Sequence, residues 1–312
     1  MILTVTLNPA VDFTVFGEAF SIGVTNRGDC IDPDAGGKGN NAARIANLLG
    51  SRVAATGFLG GFTGDYIGKC LAKEGIEDVF FPISGLTRIT VSFIAQGGRE
   101  QTKIVPTGDS ISPEDAKSFK MHFRNLMEGR RFSVVTLNGS LPRGLPPDYY
   151  ADLIDICAAA STPVILDTSG EALRAARGHS LRLIKPNYDE ARELLDCTGG
   201  PQLLGGVREF ARETGNVALT LGERGAILFT KGGAVAAKAA AVKGTNPIGA
   251  GDAFVGGFAA ATDADLPEPE CFRWAVAAAT CTASSPGLLW ERSYFDSILR
   301  GVALETFKGD SI

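Results

Sequence analysis

From Ser133 onward, segments of strand length alternate regularly with segments whose apolar residues have helical spacing. The strand-like segments are residues 134–137, 164–167, 181–185 and 217–221, and a helical pattern precedes each one after the first. Strands and helices that alternate along a chain form a parallel sheet with helices on both faces. We therefore predict an α/β fold with three layers, α/β/α, around a mostly parallel central sheet, and ligands bound beyond the carboxyl ends of its strands.

The first third of the chain does not follow this alternation. Residues 11–16 and 27–31 resemble short strands, and residues 89–95 and 101–106 resemble a hairpin. We expect these elements to form a small β-sheet lid from approximately residues 11–34 and 87–106. A chain of 312 residues with 45% apolar residues can bury the core of one large domain. We find no repeat or linker and predict a single domain over residues 1–312.

Charge and cysteine usage exclude several classes of function. The net charge of −5 and a pI near 5.3 argue against nucleic acid or an anionic membrane as partner. No apolar run approaches the ~18 residues of a membrane span, and the N-terminus opens directly into a strand. The six cysteines are scattered without a C-x-x-C pair, which indicates neither a disulfide framework nor a zinc cluster. We therefore expect a cytoplasmic protein.

The segment Gly249-Ala250-Gly251-Asp252 precedes a strongly apolar helical run. Glycines let the backbone approach a ligand closely, and the N–H groups at a helix start attract an anion. A carboxylate beside such an anion hole suits a general base that accepts a hydroxyl proton during phosphoryl transfer. The alternative is a glycine-rich turn in which Asp252 merely caps the helix.

A second glycine-rich segment, residues 35–41, precedes the first long helix. It is not a P-loop, because Gly39 follows Lys38 where a Ser or Thr is required. It does fit the loose dinucleotide pattern G-x-G-x-x-A, which keeps an NAD-dependent oxidoreductase open, although the preceding residues are polar and include Pro33. The other interpretations are a solvated turn and a site for a polyhydroxylated ligand, held by glycine N–H groups and Asn41, with Lys38 for an anionic substituent.

Several further positions have both a structural and a functional interpretation. Asp12, after the first strand, is a turn residue or an acceptor for sugar hydroxyls. Arg88 and Lys103 are surface charges or a clamp for a substrate phosphate. Asn187 and Glu190 form a capping box, and the same residues suit a metal-phosphate role. The segment 222–225 is a tight turn or a nucleotide-phosphate loop.

Seven motifs occur in a fixed order: LNPAVD at 7–12, GGKGNN at 36–41, GSLPRG at 139–144, DTSGEAL at 167–173, KPNYDE at 185–190, LGERG at 221–225 and GAGD at 249–252. Over roughly residues 2–290 the chain resembles the ribokinase-like, or phosphofructokinase-B, carbohydrate kinases. It is most similar to the subgroup of 1-phosphofructokinase, tagatose-6-phosphate kinase and the minor 6-phosphofructokinase.

The resemblance implies a role for each matching position. Asp252 would be the catalytic base, with Gly249, Ala250 and Gly251 as the anion hole. Glu190 would organise Mg²⁺ through water together with Asn187. The nucleotide side would comprise Lys185, Asn187, Thr220, Gly222, Gly225 and Gly251. The substrate side would comprise Asp12, Gly36, Gly37, Asn41, Arg88 and Ser140, with Lys38 and Lys103 as additions. Carbonyl groups of a monovalent cation site, K⁺ in particular, would come from Asn246, Ile248, Ser285 and Gly287.

Two segments depart from the family pattern. Asn246-Pro247-Ile248 replaces the usual Thr-rich approach to GAGD, and residues 99–106 lack the Thr-Glu-Leu-Asn typical of 1-phosphofructokinases. The resemblance implies transfer of the γ-phosphoryl group of ATP to a ketohexose monophosphate, with fructose 1-phosphate favoured over fructose 6-phosphate and tagatose 6-phosphate. A non-catalytic sugar-phosphate sensor is the remaining alternative.

We also predict a homodimer through the small sheet. Alternation places Val11, Phe13 and Val15 on one face, together with Ile89, Val91 and Phe93. No helix of this chain is obviously available to cover that face, and an exposed apolar face usually marks an interface. The alternative is that these residues pack on the main part of a monomer.

Overall fold

The computed structural model describes residues 1–30, 33–95, 101–238 and 248–308. The strands are β1 (Ile2–Thr6), β2 (Ala10–Gly17), β3 (Asp29–Cys30), β4 (Asp34–Gly36), β5 (Val53–Gly60), β6 (Glu77–Asp78), β7 (Phe81–Ile83), β8 (Arg88–Ala95), β9 (Gln101–Ile104), β10 (Val134–Asn138), β11 (Val164–Asp167), β12 (Leu181–Ile184), β13 (Gly215–Thr220), β14 (Ala226–Thr230), β15 (Gly233–Lys238) and β16 (Ala303–Thr306).

The helices are α1 (Lys38–Leu48), α2 (Gly61–Lys73), α3 (Pro113–Gly129), α4 (Tyr149–Ala159), α5 (Gly170–Ala175), α6 (Tyr188–Leu194), α7 (Gly200–Thr214), α8 (Ala250–Asp263), α9 (Glu268–Ser284) and α10 (Arg292–Gly301). A 3₁₀ turn covers Gly222–Arg224. Two local signals define helix starts. The Ser112 hydroxyl accepts from the Asp115 N–H before α3, and Asn187 with Glu190 forms the predicted capping box before α6.

The central sheet has the strand order β16-β15-β14-β13-β12-β11-β10-β1-β5-β6, and β7 also pairs with β5. The pairs from β13 through β6 are parallel, whereas β14, β15 and β16 add antiparallel strands at one edge. Register places Thr6 opposite Asn138, and Asn138 opposite Asp167. The carboxyl ends of β1, β10 and β11 therefore lie in one row, where the loops that carry the motifs meet.

Helices cover both faces of this sheet, which confirms the predicted α/β/α layers. Buried residues of α1, α2, α8, α9 and α10 form the core on one face, and those of α3, α4, α5, α6 and α7 form the core on the other. The alternation of strand side chains is visible in β1, where Ile2 belongs to the first core and Leu3 to the second. No helix in the described part of the chain is long and apolar enough to cross a membrane.

A second, five-stranded sheet has the order β3-β2-β8-β9, with β4 also paired with β2. The parallel register of β2 and β8 sets Val11 opposite Ile89, Phe13 opposite Val91, and Val15 opposite Phe93, so these six residues share one face as expected. The connection between β8 and β9 lies outside the described residues.

The prediction that this apolar face is exposed is wrong for the inner end of the small sheet, which is the end nearest the core. Val11 is buried, and Phe13 and Ile89 pack against the core on the face of the central sheet that α1 and α2 cover, while Phe93 is also buried. The apolar side chains that do face solvent lie farther out, at Phe16, Phe20, Ile22, Val24, Ile104 and Val105. Strand periodicity predicts which side chains share one face of a sheet, but it does not predict which element packs on that face.

Candidate active site

The predicted anion hole lies at the N-terminus of α8. Gly249 adopts a left-handed conformation with φ of 79°, which favours glycine, and it turns the chain directly into the helix. Its own space is limited, since a Cβ there would lie 3.1 Å from Leu288 Cδ1. The N–H groups of the first turn lack partners within the helix, so this end of α8 suits an anion. Asp252 lies in the same turn and is only 9% exposed.

Close packing of α1 on α8 brings Asn41 to this carboxylate. A Cβ at Gly256 would lie 2.6 Å from the Ala42 carbonyl oxygen, so only glycine permits this separation of the two helices. Asn41 Nδ2 donates to Asp252 Oδ2 at 2.7 Å. The glycine-rich segment at 35–41 and GAGD therefore form one site, although more than 200 residues separate them in sequence.

The environment of Asp252 changes its acidity. Burial raises the pKa of Asp252 to about 6, and the negative charge of Asp167 contributes to this rise. The hydrogen bond from Asn41 and the positive charges of Lys38 and Lys185 oppose it. A carboxylate with this pKa is ionised at neutral pH yet accepts a proton more readily than an exposed Asp, as a general base requires.

Asp167 is the main residue of the site to which the sequence assigned no role. It ends β11, is 1% exposed, and its Oδ1 lies 3.3 Å from both Lys38 Nζ and Lys185 Nζ. Its Oδ2 is buried and has no hydrogen-bond partner among the residues that the structure describes. The motif DTSGEAL at a strand end was the available signal, since a carboxylate at the carboxyl end of a parallel strand faces the ligand crevice.

Lys38 belongs to this same cluster. It was predicted to serve an anionic substituent of the substrate, but its ammonium group lies against Asp167 beside the base. Burial lowers the pKa of Lys38, and the charges of Asp167, Glu190 and Asp252 outweigh that effect and raise it overall. Lys38 is therefore cationic, and its charge acts on Asp252 in the first turn of α8.

Arg88 lies across the site, at the start of β8. Its guanidinium donates to the carbonyl oxygens of Asn8 at 2.9 Å, Pro106 at 3.2 Å and Pro9 at 3.4 Å. Burial lowers the pKa of Arg88, which the nearby Asp12 partly offsets. No salt bridge to Arg88 occurs within the described ranges, and a half-buried guanidinium of this kind suits an anionic ligand.

The other residues of the predicted substrate side lie on neighbouring strands and loops. The Asn8 side chain donates to Ser140 Oγ at 3.3 Å, which connects the loop after β10 to the loop after β1. Asp12 accepts a hydrogen bond from Thr90 and lies against Gly36, where a side chain would collide with the carboxylate. Lys103 is exposed and lies opposite Ser92 of the neighbouring strand, on the same face of the small sheet as Thr90. Gly37, with φ of 119°, precedes the first turn of α1.

The predicted nucleotide-side residues follow β12 and β13. Lys185 is 4% exposed, and a Cβ at Gly251 would lie 3.4 Å from its Nζ, so its ammonium group lies against the start of α8. Asn187 forms a β-bridge with Thr220. Gly222 and Gly225 enclose the 3₁₀ turn with φ of 61° and 90°, and the Leu221 N–H donates to Gly225 O at 2.8 Å.

Glu190 has a structural role in this conformation, because its carboxylate accepts from the Asn187 N–H. No group of three or more His, Cys, Asp or Glu residues that could hold a metal occurs in the part of the chain that the structure describes. Mg²⁺ usually keeps several waters and binds one or two carboxylates together with substrate phosphates. The unpaired Asp167 Oδ2 and the nearby Glu190 charge suit such an ion, so the residues present fit a water-bridged Mg²⁺.

The predicted monovalent cation site is described only in part. Asn246 lies outside the described residues. Ile248 is exposed, Ser285 is 8% exposed at the end of α9, and Gly287 follows two residues later. A Cβ at Gly249 would lie 3.1 Å from Leu288 Cδ1 and 3.7 Å from Thr282 Cγ2, so this segment lies beside the anion hole.

The dinucleotide-binding interpretation of residues 37–42 finds no support in the structure. The strand before Gly37 is β4, which has three residues and pairs antiparallel with β2 in the small sheet. A dinucleotide fingerprint requires a strand of a parallel sheet at this position.

Two enzymes of known activity are similar in sequence to this chain over most of its length. The 1-phosphofructokinase of Bacillus subtilis is 38% identical over 291 residues, which cover 92% of this chain and 94% of that protein. The tagatose-6-phosphate kinase of Staphylococcus epidermidis is 33% identical over 269 residues, which cover 83% of this chain and 84% of that protein.

The fold is shared with a solved structure of phosphofructokinase-2 from Escherichia coli in complex with potassium. The TM-score is 0.88 at 24% identity, and the match covers 96% of this chain and 98% of that one. Residues 6–289 match the sequence model described as pfkB family carbohydrate kinase. The chain therefore belongs to the pfkB family of carbohydrate kinases, as its motifs predicted, and is a phosphotransferase that acts on an alcohol group.

Proposed function

We propose that this protein transfers the γ-phosphoryl group of ATP to a primary hydroxyl of a ketohexose monophosphate. The favoured acceptor is fructose 1-phosphate, and the product is fructose 1,6-bisphosphate. One observation carries the proposal: a buried carboxylate, Asp252, lies in the first turn of α8 and is hydrogen-bonded to Asn41 of the glycine-rich segment. A general base and an anion hole thus belong to one helix turn, beside residues suited to a polyhydroxylated acceptor.

In this mechanism Asp252 takes the proton of the acceptor hydroxyl, and the hydroxyl oxygen attacks the γ-phosphorus. The bond between that phosphorus and the β–γ bridging oxygen breaks, and ADP leaves. Negative charge that develops on the transferring group is stabilised by the N–H groups of Gly249, Ala250 and Gly251. Lys38 and Lys185 add positive charge on the side of Asp167. Asn187, Thr220, Gly222 and Gly225 would hold the nucleotide. Asp167 and Glu190 would hold Mg²⁺ through water, and the ion would supply positive charge to the nucleotide phosphates.

The acceptor would lie between Asp12 and Arg88. A carboxylate that already accepts from Thr90 has further lone pairs for sugar hydroxyls. Arg88 is half-buried and has no salt bridge in the part of the chain that the structure describes, so it suits the phosphate that the acceptor already carries, with Lys103 as an outer cation. The small sheet contributes these three residues, so we propose that it acts as a lid, excluding water that would otherwise compete for the phosphoryl group.

A monovalent cation, K⁺ in particular, is proposed beside the anion hole, with ligands from Asn246, Ile248, Ser285 and Gly287. The potassium complex of the E. coli phosphofructokinase-2 supports this expectation. Cytoplasm is the proposed compartment, in keeping with Cys157, Cys271 and Cys281, which are buried as core residues.

Assembly as a homodimer is proposed through the outer end of the small sheet. Six exposed large apolar side chains lie in or next to its strands, and Ile22 at 94% and Val24 at 64% are the most exposed. A surface of this kind usually marks an interface.

Steady-state kinetics with competing acceptors tests the proposed substrate. Fructose 1-phosphate and fructose 6-phosphate give the same product, so the ratio of their kcat/KM values is the informative quantity. We expect the highest kcat/KM for fructose 1-phosphate, and a higher value for fructose 6-phosphate or tagatose 6-phosphate would reassign the acceptor. An ATPase assay with and without each sugar phosphate excludes the non-catalytic sensor if turnover depends on the sugar.

A further inference from the structure

A pair of ammonium groups shares a single carboxylate oxygen at the centre of the site. Asp167 Oδ1 lies 3.3 Å from Lys38 Nζ and 3.3 Å from Lys185 Nζ, so the two cations lie within twice that distance of each other. Like charges at this separation repel strongly where water is scarce. The carboxylate of Asp167, 1% exposed, is what allows both to remain there.

The two lysines reach Asp167 from opposite sides. Lys38 is the first residue of α1, the helix that also carries Asn41, and its Cβ lies next to Gly139 at the end of β10. Lys185 follows β12 and is 4% exposed, with its ammonium against Gly251 of the anion hole. Register fixes this arrangement, because Leu166 pairs with Ile184 and so sets Asp167 beside Lys185.

In this arrangement the two lysines pair with Asp167 and not with the base. Within the described residues each of the two makes its ion pair with Asp167, and neither comes within ion-pair distance of Asp252. A lysine paired directly with Asp252 would stabilise the ionised carboxylate and make it a poorer base. The carboxyl group of Asp252 instead receives a neutral donor, the Asn41 amide.

We propose that Asp167 is a positioning residue for phosphoryl transfer. Its Oδ1 holds Lys38 and Lys185 on either side of the N-terminus of α8, where both ammonium groups face the transferring phosphoryl group. By retaining the lysines it also leaves Asp252 free to accept the hydroxyl proton. The proposal rests on the proposed kinase function, because it assigns the lysines to the phosphoryl group of that reaction.

The variant Asp167→Asn removes the shared charge and keeps the shape of the side chain. We expect kcat to fall by about 10- to 100-fold, the scale for losing a positioned charge at a phosphoryl group. We expect smaller changes in KM for ATP and for the sugar phosphate. Asp167 also raises the pKa of Asp252, so the acid limb of the kcat profile should move to lower pH in this variant. Loss of packing alone would lower kcat without moving that limb.

Asp167→Glu serves as a second variant, since it retains the charge and displaces the carboxylate by one methylene. It should fold with both lysines ionised and still show reduced kcat. Asp155→Asn is the matched control: Asp155 is an exposed carboxylate next to His179, and its loss should leave kcat and the pH profile unchanged.

Coupling between the residues tests whether Asp167 acts through the lysines. In a double-mutant cycle with Lys38→Met, the two losses in kcat should be clearly less than additive. Fully additive losses, or an Asp167→Asn enzyme with the wild-type kcat and pH profile, overturn the proposal.

A measurement that needs no turnover tests this proposal independently of which sugar phosphate is the acceptor. NMR titration of ¹³C-methylated lysines in the ligand-free protein, with Lys38→Arg to assign the resonance, gives the pKa of Lys38. We expect a lower value in Asp167→Asn than in the wild type, because Asp167 is the largest of the charges that raise it. An unchanged value contradicts the positioning role, whichever sugar phosphate the enzyme uses.

Discussion

At the scale of single residues, Asp252 combines low exposure, a neutral hydrogen-bond donor and a position at a helix start. These three features act on different properties. Burial raises its proton affinity, Asn41 orients the carboxylate, and the helix N-terminus attracts the group that will be transferred. Catalysis requires Asp252 to be ionised, whereas its burial favours the protonated form in the folded protein.

Replacement of Asp252 tests its role as the general base. Asp252→Asn keeps the size and one acceptor oxygen but cannot take the proton, so we expect kcat to fall by a factor on the order of 10²–10⁴. ATP affinity, measured by calorimetry, should remain close to that of the wild type. Turnover above a tenth of the wild-type value would remove Asp252 from the role of general base.

The pH dependence of kcat follows from the same residue. Its pKa is raised from 3.8 to about 6, and the base must be ionised to act. We therefore expect kcat to be maximal above about pH 7 and to decrease tenfold per pH unit well below pH 6. A profile that stays flat down to pH 5 would contradict both the burial of Asp252 and its role.

Stability should respond in the opposite direction. A folded pKa above the unfolded value means that the folded state favours protonated Asp252, so this contribution to stability is present below about pH 4 and lost as pH rises through 6. About two pKa units correspond to roughly 3 kcal/mol. We expect Asp252→Asn to raise the free energy of unfolding at pH 7.5 by up to that amount, and to show no such gain at pH 4. Urea titrations at the two pH values measure the difference.

Arg88 gives a test on the acceptor side. Its guanidinium is bound only to carbonyl groups in the described structure, so a phosphate would supply its counter-charge. We expect Arg88→Ala to raise KM for the sugar phosphate by about 10- to 100-fold, with a much smaller change for ATP. Arg131→Ala, a change to an exposed arginine on the loop before β10, is the control and should alter neither constant. Equal effects of Arg88→Ala on both substrates would indicate a surface charge.

At the scale of elements, the contact between α1 and α8 assembles the base and the acceptor site. Gly256 on α8 lies against Ala42 and Ile45 of α1, and Asn41 reaches Asp252 from the same face. The geometry of the site therefore depends on a glycine one turn away from the chemistry.

Filling that contact should displace the two helices. A Cβ at Gly256 would lie 2.6 Å from the Ala42 carbonyl oxygen, so Gly256→Ala should destabilise the protein by about 1–3 kcal/mol and lower kcat. Gly205→Ala in α7 is the matched control, since no atom lies within 4 Å of the added Cβ. The control should be neutral or stabilise by up to about 1 kcal/mol. Equal thermal shifts in the two variants would show that the helices do not depend on Gly256.

At the scale of the whole molecule, the small sheet has two different ends. Its inner end packs on the core through Val11, Phe13 and Ile89, next to the substrate residues on its other face. Its outer end exposes Phe16, Ile22 and other apolar side chains. The inner end fixes the sheet to the site, and the outer end is the surface proposed to bind a second copy.

Sedimentation equilibrium at micromolar concentration tests this assembly. We expect twice the chain mass of 32.6 kDa for the wild type. A charge at the most exposed apolar position, Ile22→Asp, should yield a monomer, whereas Met121→Asp on the exposed face of α3 should remain dimeric. A wild-type mass near that of a single chain at all concentrations would exclude the dimer.

Local patterns in the sequence predicted much of the fold. The alternation after Ser133 predicted β10, β11 and β12 within a residue or two, and the capping box of Asn187 and Glu190 predicted the start of α6. Each of these signals acts within one strand or one helix turn. The short strands β4, β6 and β16 were not predicted. Strands of two to four residues have too little periodicity to be recognised, and the pairing partner defines them.

The sequence by itself determined the α/β class, the family motifs and the glycine-rich turn that starts α8, since the conformation at Gly249 is a property of the local chain. Only the tertiary structure decided which charges meet. Asp167, Lys38 and Lys185 come from a strand end, a helix start and a loop. Strand register and helix packing together bring each lysine to 3.3 Å from Asp167 Oδ1. The raised pKa of Asp252 likewise depends on burial and on these neighbours, which no local pattern encodes.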